Sequence, residues 1–228
     1  MSRPAAGVVL AGGASARMGA AKADIPWEDG TFLSRAVEAL PPAVGRVIVV
    51  RAPGQALPPL PAGVEVTEDA RPGRGPLEGL VAGLGALRPG EDAFVLAVDM
   101  PFAGAELAAA VLAALAPGVD AAVPRAAGRP HPLAAAYRAG VAATARDLLD
   151  VGSDRMTDLL AAIRVAWVDA AGLPGGPAVL ANVNTPEDLA AARQAIREYA
   201  TTSPAATPPG GTSASASAPV SDVTAWGP

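Results

Sequence analysis

The sequence predicts an α/β protein with a mostly parallel sheet covered by helices on both faces. Three observations predict it. Short apolar runs alternate with amphipathic helical stretches, the strand-like runs are apolar at successive positions, and the first of them enters a glycine turn directly. Ligands of such sheets bind at the carboxyl ends of the strands, so the residues that follow each strand are the first place to look for function.

The elements follow in order. Gly7 to Ala11 is a short apolar strand ending in Gly12-Gly13. Thr31 caps a helix with Phe32, Leu33, Ala36, Val37 and Leu40 on one face, stopped by Pro41-Pro42. Val47 to Val50 returns as a strand, and Val64 to Val66 is a shorter one. Leu77 to Leu87 reads as a helix, and Phe94 to Val98 as a buried strand ending at Asp99. Then come a helix from Glu106 to Leu115, strands at Asp120 to Val123 and Leu133 to Tyr137, and helices from Val141 and from Asp154. Val165 to Val168 and Val179 to Val183 are also strand-like. Thr185-Pro186-Glu187-Asp188 sets an N-cap threonine, a first-turn proline and an N3 carboxylate before Leu189, Ala192 and Ile196, a strong helix start.

With 228 residues the chain has room for one domain and an appendage. The domain is expected over residues 1–199. Residues 200–228 are rich in Thr, Ser, Pro, Ala and Gly, with Asp222 as the lone charge, and are expected to be a low-complexity, disordered tail. Hydrophobic residues make up 51% and aromatics only 4%, with mean hydropathy +0.32, so the apolarity is mainly Ala, Val and Leu. The best membrane candidate, Leu107 to Ala116, is far shorter than the ~18 residues a span requires, which predicts a soluble chain. Ala5 onward with Ala14-Ser15-Ala16 imitates a signal peptide, but the paired glycines break its apolar region. Zero cysteines exclude disulfides, thiolate zinc sites and cysteine nucleophiles, and are compatible with a cytoplasmic location. A net charge of -5 with interspersed signs argues against a nucleic-acid or anionic-membrane footprint as the main partner surface.

The candidate chemistry lies after the strands. The loop Gly12 to Lys22 offers backbone N–H groups to phosphate oxygens and adds Arg17 and Lys22, the one lysine among 17 basic residues. It matches neither the dinucleotide fingerprint nor the Walker pattern. Gly12 and Gly13 could be a plain turn, but both cations in one post-strand loop favour anion binding. Asp99 ends a buried strand before Met100-Pro101 and either caps the next helix or binds Mg²⁺, which takes one or two carboxylates besides water and phosphate. Asp69 is a turn or site residue, and Asn182 and Asn184 taken alone read as Asx-turn residues. His131, the lone histidine, between Pro130 and Pro132, has no partner for zinc or a triad.

Taken together these residues resemble the bacterial molybdenum cofactor guanylyltransferases. The loop from Leu10 to Lys22 fits the family pattern L-A-G-G-x-S-x-R-M-G-x-x-K at every fixed position. Glu68-Asp69, Gly75-Pro76-Leu77-Glu78-Gly79, Val98-Asp99-Met100-Pro101, His131-Pro132-Leu133 with Tyr137, and Asn182 to Leu189 follow in the family's order. The resemblance implies a Rossmann-like nucleotidyltransferase of the nucleotide-diphospho-sugar transferase type. It would transfer GMP from GTP to the terminal phosphate of the molybdenum-bearing pterin and release pyrophosphate, in the cytoplasm. By matching positions it implies GTP contacts at Leu10, Ala11, Gly12, Gly13, Lys22, Asp69 and Asp99, Mg²⁺ on Asp99, and Arg17, Lys22 and Asp99 as the catalytic set. It sets the acceptor near His131, Asn182 and Asn184, and maturation proteins of molybdoenzymes are further partners it admits.

Two departures stand out. Ala21 precedes the lysine where the family often has Asp, and Arg51-Ala52-Pro53 stands where it often has Asn. The competing readings are a CTP-dependent pterin cytidylyltransferase, a transferase acting on a sugar phosphate or phospholactate, and a nucleotide-binding homologue without turnover. Gly75-Pro76-Leu77 after Glu68-Asp69, together with the Gly12-Gly13 pair, favours guanine, and the joint presence of Arg17, Lys22 and Asp99 favours turnover.

Overall fold

The computed structural model describes residues 3–12, 21–71 and 73–202, with side chains to residue 198. Gly13, Arg17 and the tail beyond residue 202 lie outside the described residues. The strands are β1 (Ala5–Leu10), β2 (Pro26–Trp27), β3 (Gly30–Thr31), β4 (Arg46–Arg51), β5 (Glu65–Glu68), β6 (Asp92–Ala97), β7 (Ala121–Ala126), β8 (Arg129–Pro130), β9 (Ala134–Arg138) and β10 (Val165–Asp169). The helices are α1 (Phe32–Ala39), α2 (Gly75–Gly85), α3 (Ala105–Ala113), α4 (Val141–Asp150), α5 (Met156–Ala162) and α6 (Pro186–Thr202).

The main sheet has the order β10-β7-β9-β6-β1-β4-β5, with β8 hydrogen-bonded to β7. β5, β4, β1 and β6 run parallel, as do β7 and β10, whereas β9 is antiparallel to both of its neighbours. The strands are apolar throughout because both faces are covered. In β1, Val9 faces the core beneath α1, α3 and α6, and Val8 and Leu10 face the one beneath α2, α4 and α5. β4 repeats the alternation, with Val47 and Val49 on the first side and Ile48 and Val50 on the second.

The two edges of the sheet differ in chemistry. At the amino end of β4, Arg46 donates from Nη2 to Glu91 at 2.7 Å and to the Ala86 carbonyl at 2.8 Å, and from Nη1 to Glu65 at 2.6 Å. Nearby, Arg138 Nη1 lies 2.5 Å from the Asp92 carboxylate, which starts β6. Ion pairs therefore close the amino edge. At the carboxyl ends of β1, β4 and β6 a cavity of about 600 Å³ stays open.

One expected strand is absent. Val179 and Leu180 belong to a 3-10 turn, Gly176–Leu180, and no ladder forms over residues 179–183. Gly175 and Gly176, at φ 76° and 62°, occupy the left-handed region, and Pro177 has no N–H to give a ladder. Val179, Leu180 and Val183 are buried all the same, which is why the run looked strand-like. Two short hairpins lay outside the sequence expectation. β2 and β3 pair around Glu28 (φ 50°), and β7 and β8 around Ala127 (φ 47°) and Gly128 (φ 77°). Among the described residues no helix is long and apolar enough to cross a membrane.

Candidate active site

Lys22 is held by its neighbours. Ala23 and Ile25 are buried in the core, and a single 3-10 turn, with Ile25 N–H donating to the Lys22 carbonyl at 3.3 Å, fixes the backbone beside the cavity. Its ammonium contacts the Asp99 carboxylate and donates to Asn184 Oδ1 at 2.6 Å. Asp99 lies two residues past β6, with its side chain only 9% exposed. It does not cap α3, whose N-cap is Gly104. Asn182 Nδ2 lies 3.5 Å from Asp99 Oδ1, the outer limit of a hydrogen bond.

The two asparagines reach this point because Val183 anchors the segment between them. Val183 is 1% exposed, and its N–H donates to the Asp99 carbonyl at 2.9 Å. The start of α6 fixes the other side. Asp188 accepts from the N–H groups of Asn184 and Thr185, both at 3.0 Å, while Thr185 Oγ1 accepts from the Asp188 N–H at 3.1 Å. This is the reciprocal cap expected from the sequence. The hydrogen bond from the Asn184 backbone, above all, holds the Asp188 carboxyl below its ordinary range.

Across the cavity lie Leu10, Gly12, Val50, Ala52 and Asp69. Ala11 is fully buried, and its N–H donates to the Val50 carbonyl at 2.8 Å. Its own carbonyl accepts from Gln55 Nε2 at 3.1 Å, and Gln55 Oε1 accepts from the Ala52 N–H at 3.0 Å. Gln55 therefore bridges the entry of the glycine loop to the chain after β4, near the place where the family's asparagine is missing. A Cβ on Gly12 would sit 3.5 Å from the Ala52 nitrogen and 3.8 Å from Asp69 Oδ2, in ordinary contact, which puts Gly12 directly against both residues in the cavity wall. Gln55 escaped the sequence reading. Nothing in its local pattern marks a residue that bridges two loops.

Asp69 follows β5, its N–H donating to the Arg51 carbonyl at 3.1 Å. Its Oδ1 is buried with no hydrogen-bond partner among the described residues, as is Oε2 of Glu78 on α2. Burial first, then the negative charges of Glu78 and Glu68, pushes the Asp69 carboxyl above its ordinary range. A group in this condition is ready for a hydrogen-bond donor from a ligand. Gly73, Gly75, Pro76 and Gly79 complete this wall; the sequence reading quoted most of them as a motif without assigning them to the site.

His131 lines a separate notch of about 350 Å³, whose wall includes Leu133 and Asn182, both shared with the large cavity. Its imidazole is held below its ordinary range by burial and then by Arg129. The arrangement thus joins a glycine-lined wall, a lysine in contact with a strand-end carboxylate, and two asparagines at one cavity on the carboxyl edge of the sheet.

The sequence profile of the MobA-like NTP transferase domain matches residues 7–170, most of the chain, from within β1 through β10. This chain belongs to the MobA-like NTP transferase family. It is 40% identical to a Mycobacterium tuberculosis (strain H37Rv) protein named "Probable molybdenum cofactor guanylyltransferase" over 199 residues, 84% of this chain and 94% of that one. A Chloroflexus aggregans protein of the same name is 37% identical over 202 residues, covering 80% and 90%. Among solved structures, molybdopterin-guanine dinucleotide biosynthesis protein A from Archaeoglobus fulgidus superposes with a TM-score of 0.71 at 21% identity, over 85% of this chain and 99% of that one. The 2-C-methyl-D-erythritol 4-phosphate cytidylyltransferase of Thermus thermophilus does so at 0.62 and 22%, over 83% and 98%. The MobA-like fold is thus shared with cytidylyltransferases. The chain is a nucleotidyltransferase by family.

Proposed function

We propose that this MobA-like protein transfers GMP from GTP to the terminal phosphate of molybdenum-bearing molybdopterin, giving the guanine dinucleotide and pyrophosphate. The observation that carries this reading is the contact of Lys22 with Asp99 and Asn184 at the mouth of the strand-end cavity. It is read together with the name borne by relatives up to 40% identical. In the reaction an oxygen of the acceptor phosphate attacks the α-phosphorus in line, and pyrophosphate departs. No protein nucleophile is needed. The chain supplies positioning and positive charge where negative charge gathers.

Lys22 is the described cation that meets the triphosphate, and Arg17 on the glycine loop is proposed to join it. Leu10 and Gly12 line the wall against which the nucleotide lies, with Ala11 buried behind it, Gly13 is proposed to contact the nucleotide as well, and Asp69 accepts from one of its N–H or O–H donors. The donor set fits Mg²⁺, since Asp99 presents one mostly buried carboxylate at the cavity and Mg²⁺ takes one or two carboxylates besides water and phosphate oxygens. When bound there, Mg²⁺ supplies charge neutralisation to the phosphates. Asn182 and Asn184 orient Asp99 and Lys22 from the acceptor side.

The test is turnover by the purified chain with Mg²⁺ and a molybdopterin acceptor, offered GTP and CTP in parallel, with products identified by mass. The guanine dinucleotide alone is expected, and Lys22→Ala should slow its formation by ~10² to 10³. Product from CTP would assign the chain to the cytidylyl reaction. No product from either would refute transfer to this acceptor.

A further inference from the structure

We propose that Gln55 is a positioning residue of the nucleotide site, whose side-chain amide takes the place of a backbone rung between β1 and β4 and so sets the width of the cavity wall; this rests on the reading of that cavity as the nucleotide's. The two strands are parallel, with Val8 opposite Ile48, Val9 opposite Val49 and Leu10 opposite Val50. The ladder goes on one step past β1, where the Ala11 N–H donates to the Val50 carbonyl at 2.8 Å. In a parallel ladder the next bond runs from the Ala52 N–H to the Ala11 carbonyl. Here the amide of Gln55 stands in its place. The Ala52 N–H donates to Gln55 Oε1 at 3.0 Å, and Gln55 Nε2 donates to the Ala11 carbonyl at 3.1 Å. Two hydrogen bonds with an amide between them replace one of ~2.9 Å, so the strand ends are held apart at the cavity.

The local sequence builds this device. Ala52-Pro53-Gly54-Gln55 is a β-turn closed by the Gln55 N–H donating to the Ala52 carbonyl at 3.0 Å, with Pro53 at its second position and Gly54, at φ 69°, at its third. The turn carries the glutamine back over the residue that begins it. Pro53 also has no N–H with which to resume strand pairing. Arg51 Nη1 donates to the Gln55 carbonyl at 3.0 Å, and Arg51 Nη2 pairs with Glu68 at 2.7 Å, so β4 and β5 hold the turn from its other side. The amide fits one way round, since the Ala52 N–H needs an acceptor and the Ala11 carbonyl a donor.

The wedge stands at a seam of the cavity. Leu10 and Gly12 line it on the β1 side, Val50 and Ala52 on the β4 side, and Gln55 bridges the two. Ala11 is fully buried, so its carbonyl must keep a donor. With the amide removed, the ladder itself supplies that donor in the Ala52 N–H. Closing the rung draws Ala52 toward Ala11 and narrows the wall that also holds Gly12 and Asp69. The phosphate end lies outside this movement, because Lys22 is held by Asp99 and Asn184, which belong to neither β1 nor β4. Loss of the wedge therefore acts on the nucleoside and spares the phosphates.

The experiment is calorimetry, with Mg²⁺, of the wild type, Gln55→Leu and Gln55→Glu binding GTP or tripolyphosphate, which carries the phosphates without the nucleoside. Gln55→Leu should weaken GTP by ~10-fold and leave tripolyphosphate within about twofold of the wild type. Gln55→Glu adds a chemical control. Near pH 8 its second carboxylate oxygen faces the Ala11 carbonyl, oxygen to oxygen, and GTP should again bind ~10-fold more weakly. Near pH 5, where the facing carbonyl favours the protonated acid, the carboxyl can donate to Ala11 and accept from Ala52, and most of the loss should return. Each value is taken as a ratio to the wild type at the same pH, so that the charged groups around this end of the sheet, Arg51, Glu68, Asp69 and Lys22, cancel. GTP affinity equal to the wild type's in both variants overturns the wedge. So does an equal loss of GTP and tripolyphosphate, or a Gln55→Glu deficit that is the same at both pH values. A wild type that binds tripolyphosphate and no GTP refutes instead the nucleotide reading on which the wedge rests.

Discussion

Asp69 carries the sharpest conflict between folding and binding at the level of a single side chain. Its carboxyl is pushed up by burial and by Glu78 and Glu68, so ionising it opposes folding. That cost is absent below the unfolded pKa and fully present once the pH passes the raised folded value. Asp69→Asn should therefore raise the melting midpoint by about 2–4 °C near pH 8, for a gain of order 1 kcal/mol in a chain of this size. The gain should vanish near pH 4, about the ordinary carboxylate value. The same variant should weaken GTP binding, measured by calorimetry at pH 8. A midpoint that falls at pH 8 would show that the carboxylate is satisfied in the free protein. Lys22 and Asp99 were legible from sequence because a lone lysine and a strand-end aspartate are conspicuous types at telling positions. Glu78, by contrast, is one position of the Gly75-Pro76-Leu77-Glu78-Gly79 motif with nothing local to mark it. Its burial beside Asp69 depends on how α2 seats on the sheet, which no local pattern encodes.

That seating is set by glycines. A Cβ on Gly83 of α2 would lie 2.4 Å from Val8 Cγ1 and 3.2 Å from Val50 Cγ2, and one on Gly79 would lie 3.4 Å from Leu10 Cδ2. The helix thus lies directly against β1 and β4 at positions that lead to the cavity wall. Alanine is the better helix former by ~1 kcal/mol, yet overpacking a core typically costs ~1–3 kcal/mol. At 2.4 Å the clash wins, because both partners are buried strand valines. Gly83→Ala should lower stability in urea unfolding despite its helix propensity, and a stabilised variant would show that α2 can lift from the sheet without cost. Most elements were readable, since β1, β4, β6 and α1 have clean apolar patterns and punctuation. The segment 179–183 was not, because a short buried apolar run is the same in a strand and in a 3-10 turn. Only the neighbouring Gly175-Gly176-Pro177 tells them apart. The two hairpins were too short to carry a periodicity.

Across the whole molecule, the sheet sorts stability and function to opposite edges. The amino edge is closed by Arg46 with Glu91 and Glu65, and by Arg138 with Asp92. Hydrogen bonds from Arg46 hold the Glu91 carboxyl below its ordinary range. The carboxyl edge gathers Gly12, Lys22, Asp69, Asp99 and Asn182 from distant stretches of the chain around one cavity, with the notch lined by His131 beside it. An apolar groove of about 450 Å³, which shares Asn182 with the cavity, lies between α6 and the 3-10 turn at Gly176–Leu180. The strand-end rule for parallel sheets located the functional edge from sequence alone, but the order of strands, with β9 antiparallel in the middle, came from long-range pairing. The central claim is that the strand-end cavity holds the nucleotide, and a crystal structure of the chain with GTP and Mg²⁺ tests it most directly. The account predicts phosphate oxygens on Lys22, the metal on Asp99 and the nucleoside along the wall formed by Gly12, Ala52 and Asp69. Nucleotide in the apolar groove beside α6, or in the cavity with Lys22 and Asp99 untouched, would contradict it.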